Sequence, residues 1–181
     1  MLNWGILGTS FISGTLADAI AKDPGSRFGA VGGRSPAALA AFQQQYGVEQ
    51  AFTSYDEVIG SSAVDVVYIA LPNHLHHEYV IKAAQAGKHV LCEKSLSVDM
   101  ARTESALAAV ERSGIFFMEG LMYLAHPLAA RLVELIQSGV IGAVRSVSGQ
   151  YCAPIQHLAN PDSRGAIYNL GCYPASLLHL V

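Results

Sequence analysis

Charged residues are scarce in this chain. Of its 181 residues, 14% are Asp, Glu, Lys or Arg and 51% are hydrophobic, which excludes intrinsic disorder and allows a buried core. The 11 basic residues are outnumbered by 14 acidic ones, so the chain has no basic field to hold a nucleic-acid backbone. Long apolar runs are also lacking, since residues 64–71 fall far short of the roughly 18–20 residues of a membrane span.

Two further absences concern the cell compartment. The first residues, Met1-Leu2-Asn3-Trp4, include no basic segment, so we expect no secretory signal. The three cysteines, Cys92, Cys152 and Cys172, are odd in number and widely spaced. Free thiols in this arrangement are typical of a reducing compartment, so we expect a cytoplasmic protein. Because the chain has neither a basic field nor a long apolar run, we expect no nucleic-acid or membrane partner.

Strand-like and helix-like segments alternate as far as residue 120. The apolar runs predict strands at 2–7, 28–31, 64–71, 89–92 and 115–118, and helical spacing predicts helices at 12–21, 36–46, 76–86 and 98–112. For the helix at 36–46, Ser35 is the expected N-cap and Gly47 is expected to end the helix. For the helix at 98–112, Ser97 is the expected N-cap. This order predicts an α/β fold with a doubly wound parallel sheet of the Rossmann class.

The pattern changes near residue 120, where we place a domain boundary. A helix is predicted at 127–137, a loop at 153–164 and a second helix from residue 171. Residues 144–152 alternate between apolar and polar, which is typical of a strand with one wet face in an antiparallel sheet. Residues 121–181 are therefore predicted to begin an α+β domain with an open, mostly antiparallel sheet.

The turn after the first strand predicts a dinucleotide site. Residues 5–13 fit the spacing G-x-G-x-x-G/A at the start of a helix, but serines stand at Ser10 and Ser13 and Gly8 alone of the three is glycine. Such a turn directs backbone N–H groups and the positive end of the helix dipole at a pyrophosphate. The alternative is a tight turn with no ligand.

The end of the second strand concerns the choice of cofactor. NAD sites usually have an acidic residue there for the ribose 2′-hydroxyl, whereas here Gly32-Gly33 is followed by Arg34. A guanidinium can pair with a 2′-phosphate, so the sequence favours NADP. The alternative is an exposed surface arginine.

The strand at 89–92 ends in Glu93 and Lys94. Chemistry in open α/β sheets takes place at the carboxyl ends of strands, and a lysine there can polarise a hydroxyl or carbonyl. The alternative is an ordinary surface ion pair. The nearby His74, His76 and His77 have no cysteine or acid at a spacing that completes a zinc site, so no metal is expected.

Five segments together carry a family resemblance, at residues 4–12, 70–78, 87–94, 119–127 and 165–173. In this order they resemble the Gfo/Idh/MocA family, which includes glucose–fructose oxidoreductase, inositol dehydrogenases and dimeric dihydrodiol dehydrogenases. The resemblance covers the whole chain. It implies a dinucleotide-binding domain at 1–120 and, from 121, the first part of a domain for substrate binding and oligomerisation.

The resemblance also implies the roles of particular residues. Lys94 matches the catalytic lysine and Tyr173 the acid/base tyrosine; the substrate contacts would be Lys94, Tyr123, Asn169 and Tyr173. The cofactor contacts would be Gly8, Thr9, Ser10, Phe11, Ile12, Arg34, Ser35, Leu71, Asn73, His76, Glu93 and Lys94. The implied reaction is hydride transfer between NADP, with NAD use left open, and a secondary alcohol or ketone carbon of a sugar, cyclitol or related polyol.

Alternatives and departures remain beside this interpretation. The main alternative is an NAD(P)-binding regulator or scaffold without chemistry, which would need neither Lys94 nor Tyr173. Ser95 replaces the usual proline after the lysine, Asn169 a usual aspartate, and Leu124 a usual arginine. Because family members are about twice as long, we expect the chain to be a fragment of a protein that forms a homodimer or homotetramer through its C-terminal sheet.

Overall fold

The structure is a computed structural model of the chain and describes residues 1–155 and 161–180. The chain divides into two compact units, Met1–Glu119 and Gly120–Val181. Residues 156–160, in the middle of the loop predicted at 153–164, and residue Val181 lie outside the described residues.

The first unit is built on a six-stranded parallel sheet in the order β3-β2-β1-β4-β5-β6. Its strands are β1 (Leu2–Leu7), β2 (Ser26–Gly32), β3 (Gln50–Phe52), β4 (Val66–Ile69), β5 (His89–Cys92) and β6 (Phe117–Glu119). Its helices are α1 (Phe11–Lys22), α2 (Pro36–Tyr46), α3 (Tyr55–Gly60), α4 (Asn73–Gln85) and α5 (Met100–Ser113). The predicted doubly wound parallel sheet is confirmed, although β3 and α3 are additional to the predicted elements.

Both faces of this sheet are buried. Ile6 and Leu7 are neighbours in β1 and each is 0% exposed, yet they belong to two different hydrophobic clusters. Successive side chains of a strand point to opposite faces, so one cluster covers each face. This burial explains why the residues of β4 are continuously apolar.

The ends of two helices test the predicted caps. Ser35 caps α2 by accepting a hydrogen bond from the Ala38 N–H, and α2 ends at Gly47 in the left-handed conformation, as predicted. The prediction for α5 is wrong, because its N-cap is Asp99, whose carboxylate accepts from the Arg102 N–H at 2.9 Å. Ser97 instead accepts from the Asp99 N–H, just outside the helix.

The second unit contains α6 (Pro127–Gln137), α7 (Gly165–Leu170), α8 (Cys172–Leu180) and 3-10 turns at Met122–Ala125 and Pro161–Ser163. The predicted strand at 144–152 is wrong, since these residues have no regular secondary structure and all are exposed. A strand needs a neighbour to complete its hydrogen bonds, and no described strand lies beside this segment. The predicted antiparallel sheet is accordingly not found in the described part of this unit.

Across residues 1–155 and 161–180, none of the helices combines the length and the apolar character needed to cross a bilayer.

Candidate cofactor and active site

The predicted site residues of the first unit lie along one edge of the sheet. In a parallel sheet all carboxyl ends meet at the same edge, and the chain reverses its direction of winding between the adjacent strands β1 and β4. A crevice at such a switch point is where open α/β sheets bind ligands. From β2 to β5 the edge covers three strand intervals, about 14 Å at about 4.8 Å each.

The turn after β1 is closely packed. Gly8 has φ +105°, and its N–H donates to the Gly32 carbonyl oxygen at 2.8 Å. A Cβ at this position would lie 2.7 Å from the Ala70 carbonyl oxygen, so the turn requires glycine. The next residues lead into the N-terminus of α1, whose first N–H groups have no acceptor within the helix and suit an anion.

The two serines of the fingerprint stabilise the start of α1. Ser10 is the N-cap, and its N–H donates to the Ser13 Oγ at 3.3 Å while the two hydroxyls lie 3.2 Å apart. Ser13 is 0% exposed and Ser10 is exposed. Phe11 is also exposed, and Thr9 and Ile12 are half-buried.

The turn after β2 lies against the turn after β1. A Cβ on Gly33 would lie 3.0 Å from the Thr9 Cγ2, which shows how closely the two turns approach. Arg34 follows directly and is exposed, as is the helix cap Ser35. In the part of the chain that the structure describes, the Arg34 guanidinium takes part in none of the salt bridges.

The loop after β4 leads into α4 with two buried polar residues on one helix face. Asn73 is 4% and His76 1% exposed. The His76 Nδ1 lies 2.8 Å from the Ser95 carbonyl oxygen and its Nε2 lies 2.6 Å from the Leu71 carbonyl oxygen. Burial lowers the pKa of His76 to about 4, and the nearby Lys94 acts in the same direction. The ring of this predicted cofactor contact therefore joins two loops from the interior.

Histidine placement also bears on metal binding. Both ring nitrogens of His76 are directed at backbone oxygens, so neither is available to a metal ion. Within residues 1–155 and 161–180, no group of three or more His, Cys, Asp or Glu side chains could hold one.

The turn after β5 carries Glu93 and Lys94. The Tyr68 hydroxyl donates to the Glu93 Oε1 at 2.6 Å, and burial together with this bond raises the pKa of Tyr68 well above its ordinary value. Lys94 is half-buried, and the peptide bond between Lys94 and Ser95 is cis. The Leu96 N–H donates to the Glu119 Oε1 at 2.8 Å.

Glu119 is the last residue of β6 and lies beside this turn. Burial raises the pKa of its carboxyl, and the charge of Glu93 acts in the same direction. Neither the Glu119 contact nor the Tyr68 contact was among the predicted site features. The rule that placed Lys94 at a strand end applies equally to Glu119, so the sequence held a signal for it.

In the second unit, an apolar cavity of about 380 Å³ brings two predicted residues together. Tyr123 and Tyr173 both line it, with ring centroids 6.2 Å apart. The Tyr123 hydroxyl lies 2.7 Å from the Ser176 Oγ. Tyr151, which was not predicted, also lines the cavity, with its ring centroid 4.8 Å from that of Tyr173.

Asn169, the other residue predicted to contact substrate, lies outside this group. Its Nδ2 donates to the Gly165 carbonyl oxygen at 2.7 Å, within α7, and it is not among the residues that line the cavity. The structure therefore associates Tyr123 with Tyr173 and does not add Asn169 to them.

Comparison with known proteins agrees with this architecture. The sequence model of the Gfo/Idh/MocA oxidoreductase family, with its NAD-binding Rossmann fold, matches residues 2–121. An oxidoreductase of Rhizobium meliloti is 33% identical over 100% of this chain and 56% of its own length. The NADP-dependent D-xylose 1-dehydrogenase 2 of Haloferax volcanii is 34% identical over 98% of this chain and 56% of its own.

A solved structure gives the same result at the level of the fold. A variant of the 3-ketoreductase KijD10 from Actinomadura kijaniata, in complex with TDP-benzene and NADP, is 28% identical with a TM-score of 0.78. The match covers 96% of this chain and 53% of that one. The chain spans about half the length of the curated relatives it matches. It belongs to the Gfo/Idh/MocA family of oxidoreductases.

Proposed function

We propose that the chain is the cofactor-binding part, with some of the substrate-binding part, of an NADP-preferring oxidoreductase. The reaction is hydride transfer to or from the secondary alcohol or ketone carbon of a sugar, cyclitol or related polyol. The observation that carries this proposal is the order of groups along one sheet edge: Arg34 after β2, the Gly8 turn after β1 and Lys94 after β5. The named activities of the relatives support the class of reaction.

The residues present fit a dinucleotide. The Gly8 turn has no room for a side chain and leads into a helix N-terminus, which suits the pyrophosphate. Arg34 is exposed at the end of β2, where it would pair with a 2′-phosphate. Leu71, Asn73 and Lys94 would flank the nicotinamide end, which when bound supplies the hydride donor or acceptor.

Lys94 would stabilise the charge that develops on the substrate oxygen, and Tyr173 would transfer the proton of the substrate hydroxyl. In the reducing direction Lys94 stabilises the negative charge that develops on the carbonyl oxygen. The Tyr173 hydroxyl donates its proton to that oxygen, and in the oxidising direction the proton returns to the Tyr173 oxygen. Tyr123 and Tyr151, which line the cavity with Tyr173, are the proposed substrate neighbours in the second unit, and a substrate contact by Asn169 stays a prediction from the family resemblance.

The choice of cofactor is tested by Arg34→Ala. We expect the dissociation constant for NADPH to rise roughly 10–100-fold, because a hydrogen-bonded charge pair is lost, while that for NADH stays nearly constant. Fluorescence titration of the chain with each nucleotide measures both constants. Arg112→Ala, at the end of α5 away from the sheet edge, is the control. Equal weakening of NADPH and NADH would contradict the role of Arg34.

The catalytic role of Lys94 is tested by Lys94→Ala in a protein that turns over a polyol. We expect a fall in kcat of roughly 100-fold or more with NADPH still bound, because the lysine acts on the developing charge. Reduction of NADP by a panel of sugars and cyclitols is the assay. Tight NADPH binding with no turnover of any panel member would instead support the regulator or scaffold alternative.

A further inference from the structure

The Ser95–Leu96 peptide group is held at both ends by side chains from other elements. Its carbonyl oxygen, on Ser95, lies 2.8 Å from the Nδ1 of His76 in α4. Its N–H, on Leu96, donates to the Glu119 Oε1 at the end of β6, at 2.8 Å. This is the peptide group that follows the Lys94–Ser95 bond. Its orientation therefore constrains the backbone from which the Lys94 side chain extends.

His76 also connects this turn with the loop after β4. Its Nε2 lies 2.6 Å from the Leu71 carbonyl oxygen, so one ring contacts the two loops that flank the nicotinamide end of the proposed site. The ring is 1% exposed, and water cannot readily replace these contacts. A neutral ring has one N–H for the two carbonyl oxygens, whereas two donors would require the cationic form that burial opposes.

Glu119 contacts the turn from the opposite side. Its carboxylate is half-buried, and the Leu96 N–H is a partner that a carboxylate bonds strongly. With the ring proton on Nδ1, a series of hydrogen bonds runs from the His76 N–H through the Ser95–Leu96 peptide group to the Glu119 carboxylate. Hydrogen bonds in such a series polarise and strengthen one another.

We propose that His76 and Glu119 are positioning residues, which hold the Ser95–Leu96 peptide group and thereby direct the Lys94 amine. The catalytic consequence rests on the proposed function, because it assumes that Lys94 acts on the substrate. The consequence for the position of Lys94 does not depend on catalysis, and it can be measured in the chain as it stands.

The test is competitive labelling of lysine amines, read by mass spectrometry of peptides. The disruptive variants are His76→Phe, which keeps a ring but removes both nitrogens, and Glu119→Ala. We expect each to change the labelling rate of Lys94 several-fold relative to Lys22, an exposed internal reference at the end of α1. The conservative variants, His76→Asn with a donor near the Nδ1 position and Glu119→Gln with an acceptor oxygen, should restore the rate toward that of the wild type.

A control variant and a measurement on the wild type complete the labelling test. His77→Asn, on the same helix but outside the turn, should leave Lys94 labelling at the wild-type rate. Unchanged Lys94 labelling in folded His76→Phe and Glu119→Ala would overturn the proposal. If both variants fail to fold, the wild-type exchange rate of the Leu96 amide decides: exchange as slow as that of the β5 amides is expected, and exchange at the rate of an exposed loop would overturn the proposal.

Kinetics extend the test to a protein with activity. A displaced amine should lower kcat roughly 10–100-fold with little change in NADPH affinity, and Glu119→Gln should recover part of the loss. A general structural role would not lower kcat while leaving NADPH affinity unchanged, nor would Glu119→Gln then recover part of the lost kcat. If the wild-type chain does not bind NADPH, the proposed function fails, while the labelling result still decides whether His76 and Glu119 position Lys94.

Discussion

The two units differ in how they bury apolar side chains. In the first unit two hydrophobic clusters cover both faces of the sheet, and Leu7, Val67 and Ile69 are all 0% exposed. In the described part of the second unit, Ala129 is the one buried apolar residue. There Val140 and Ile167 are 69% and 78% exposed.

This difference extends to the candidate site residues. Lys94 follows β5, a strand that is paired on both sides, and hydrogen bonds from α4 and β6 hold its turn. Tyr123 and Tyr173 belong to helical segments around a cavity, with ring contacts and one hydroxyl bond to Ser176 near them. We infer that the first unit positions its chemistry through its own core, whereas the second holds its tyrosines through fewer buried contacts.

The same substitution in each unit provides the strongest test of this inference. Leu7→Ala removes a fully buried side chain from the core of the first unit, and Leu128→Ala removes one that is 69% exposed on α6. We expect Leu7→Ala to lower the free energy of unfolding by about 3–5 kcal/mol, and Leu128→Ala by under about 0.5 kcal/mol. Urea titration followed by fluorescence measures the first unit, because the single tryptophan, Trp4, lies in β1.

Circular dichroism at the same urea concentrations reports both units and serves as the control. A fall of similar size for Leu128→Ala in the Trp4 signal would show that the stability of the first unit depends on α6. The inference of a self-contained core would then be wrong.

Local sequence was sufficient to predict those helices and strands that depend mainly on the residues within them. The apolar run at 64–71 predicted the strand observed as β4, and Ser35 and Gly47 bound α2 as predicted. The strand β3 has three residues and the helix α3 six, too few to show a period. Alternation at 144–152 indicated a half-buried surface, but it does not supply the neighbouring strand that such a surface requires.

The site was predictable to the same extent. The positions of Arg34 and Lys94 were predictable because the end of a strand determines where the next residue lies, and the structure has both at the predicted edge of the sheet. Their roles stay predictions. The contacts of His76 with Ser95 and of Glu119 with Leu96 join residues 19 and 23 positions apart. They depend on how α4 and β6 pack around the turn, and no local pattern encodes that packing.

Protonation of His76 tests how tightly the interior of the first unit is closed, with a smaller expected change in stability than that of Leu7→Ala. The tight interior of the first unit lowers the pKa of this ring from 6.5 to about 4, mainly through burial, with the charges of Lys94 and His74 acting in the same direction. Between these pH values the unfolded ring takes up a proton and the folded ring does not, so the free energy of unfolding falls as the pH is lowered. At about 1.4 kcal/mol per pH unit, the loss approaches about 3 kcal/mol near pH 4.

Urea titrations of the wild type and of His76→Asn between pH 7 and pH 4, read at Trp4, separate this contribution from those of other groups. His77, whose pKa is also lowered by burial, changes stability in the same direction as His76, and Glu119, with its raised pKa, acts in the opposite direction over part of this range. Asp23 and Asp65, with lowered pKa values, act at lower pH. These four groups are present in both proteins, so the difference between the two slopes isolates the His76 imidazole. We expect the fall to be clearly flatter in His76→Asn. Equal slopes would mean that water reaches the ring and that the interior around the Lys94 turn is less tightly closed than the rest of the first unit.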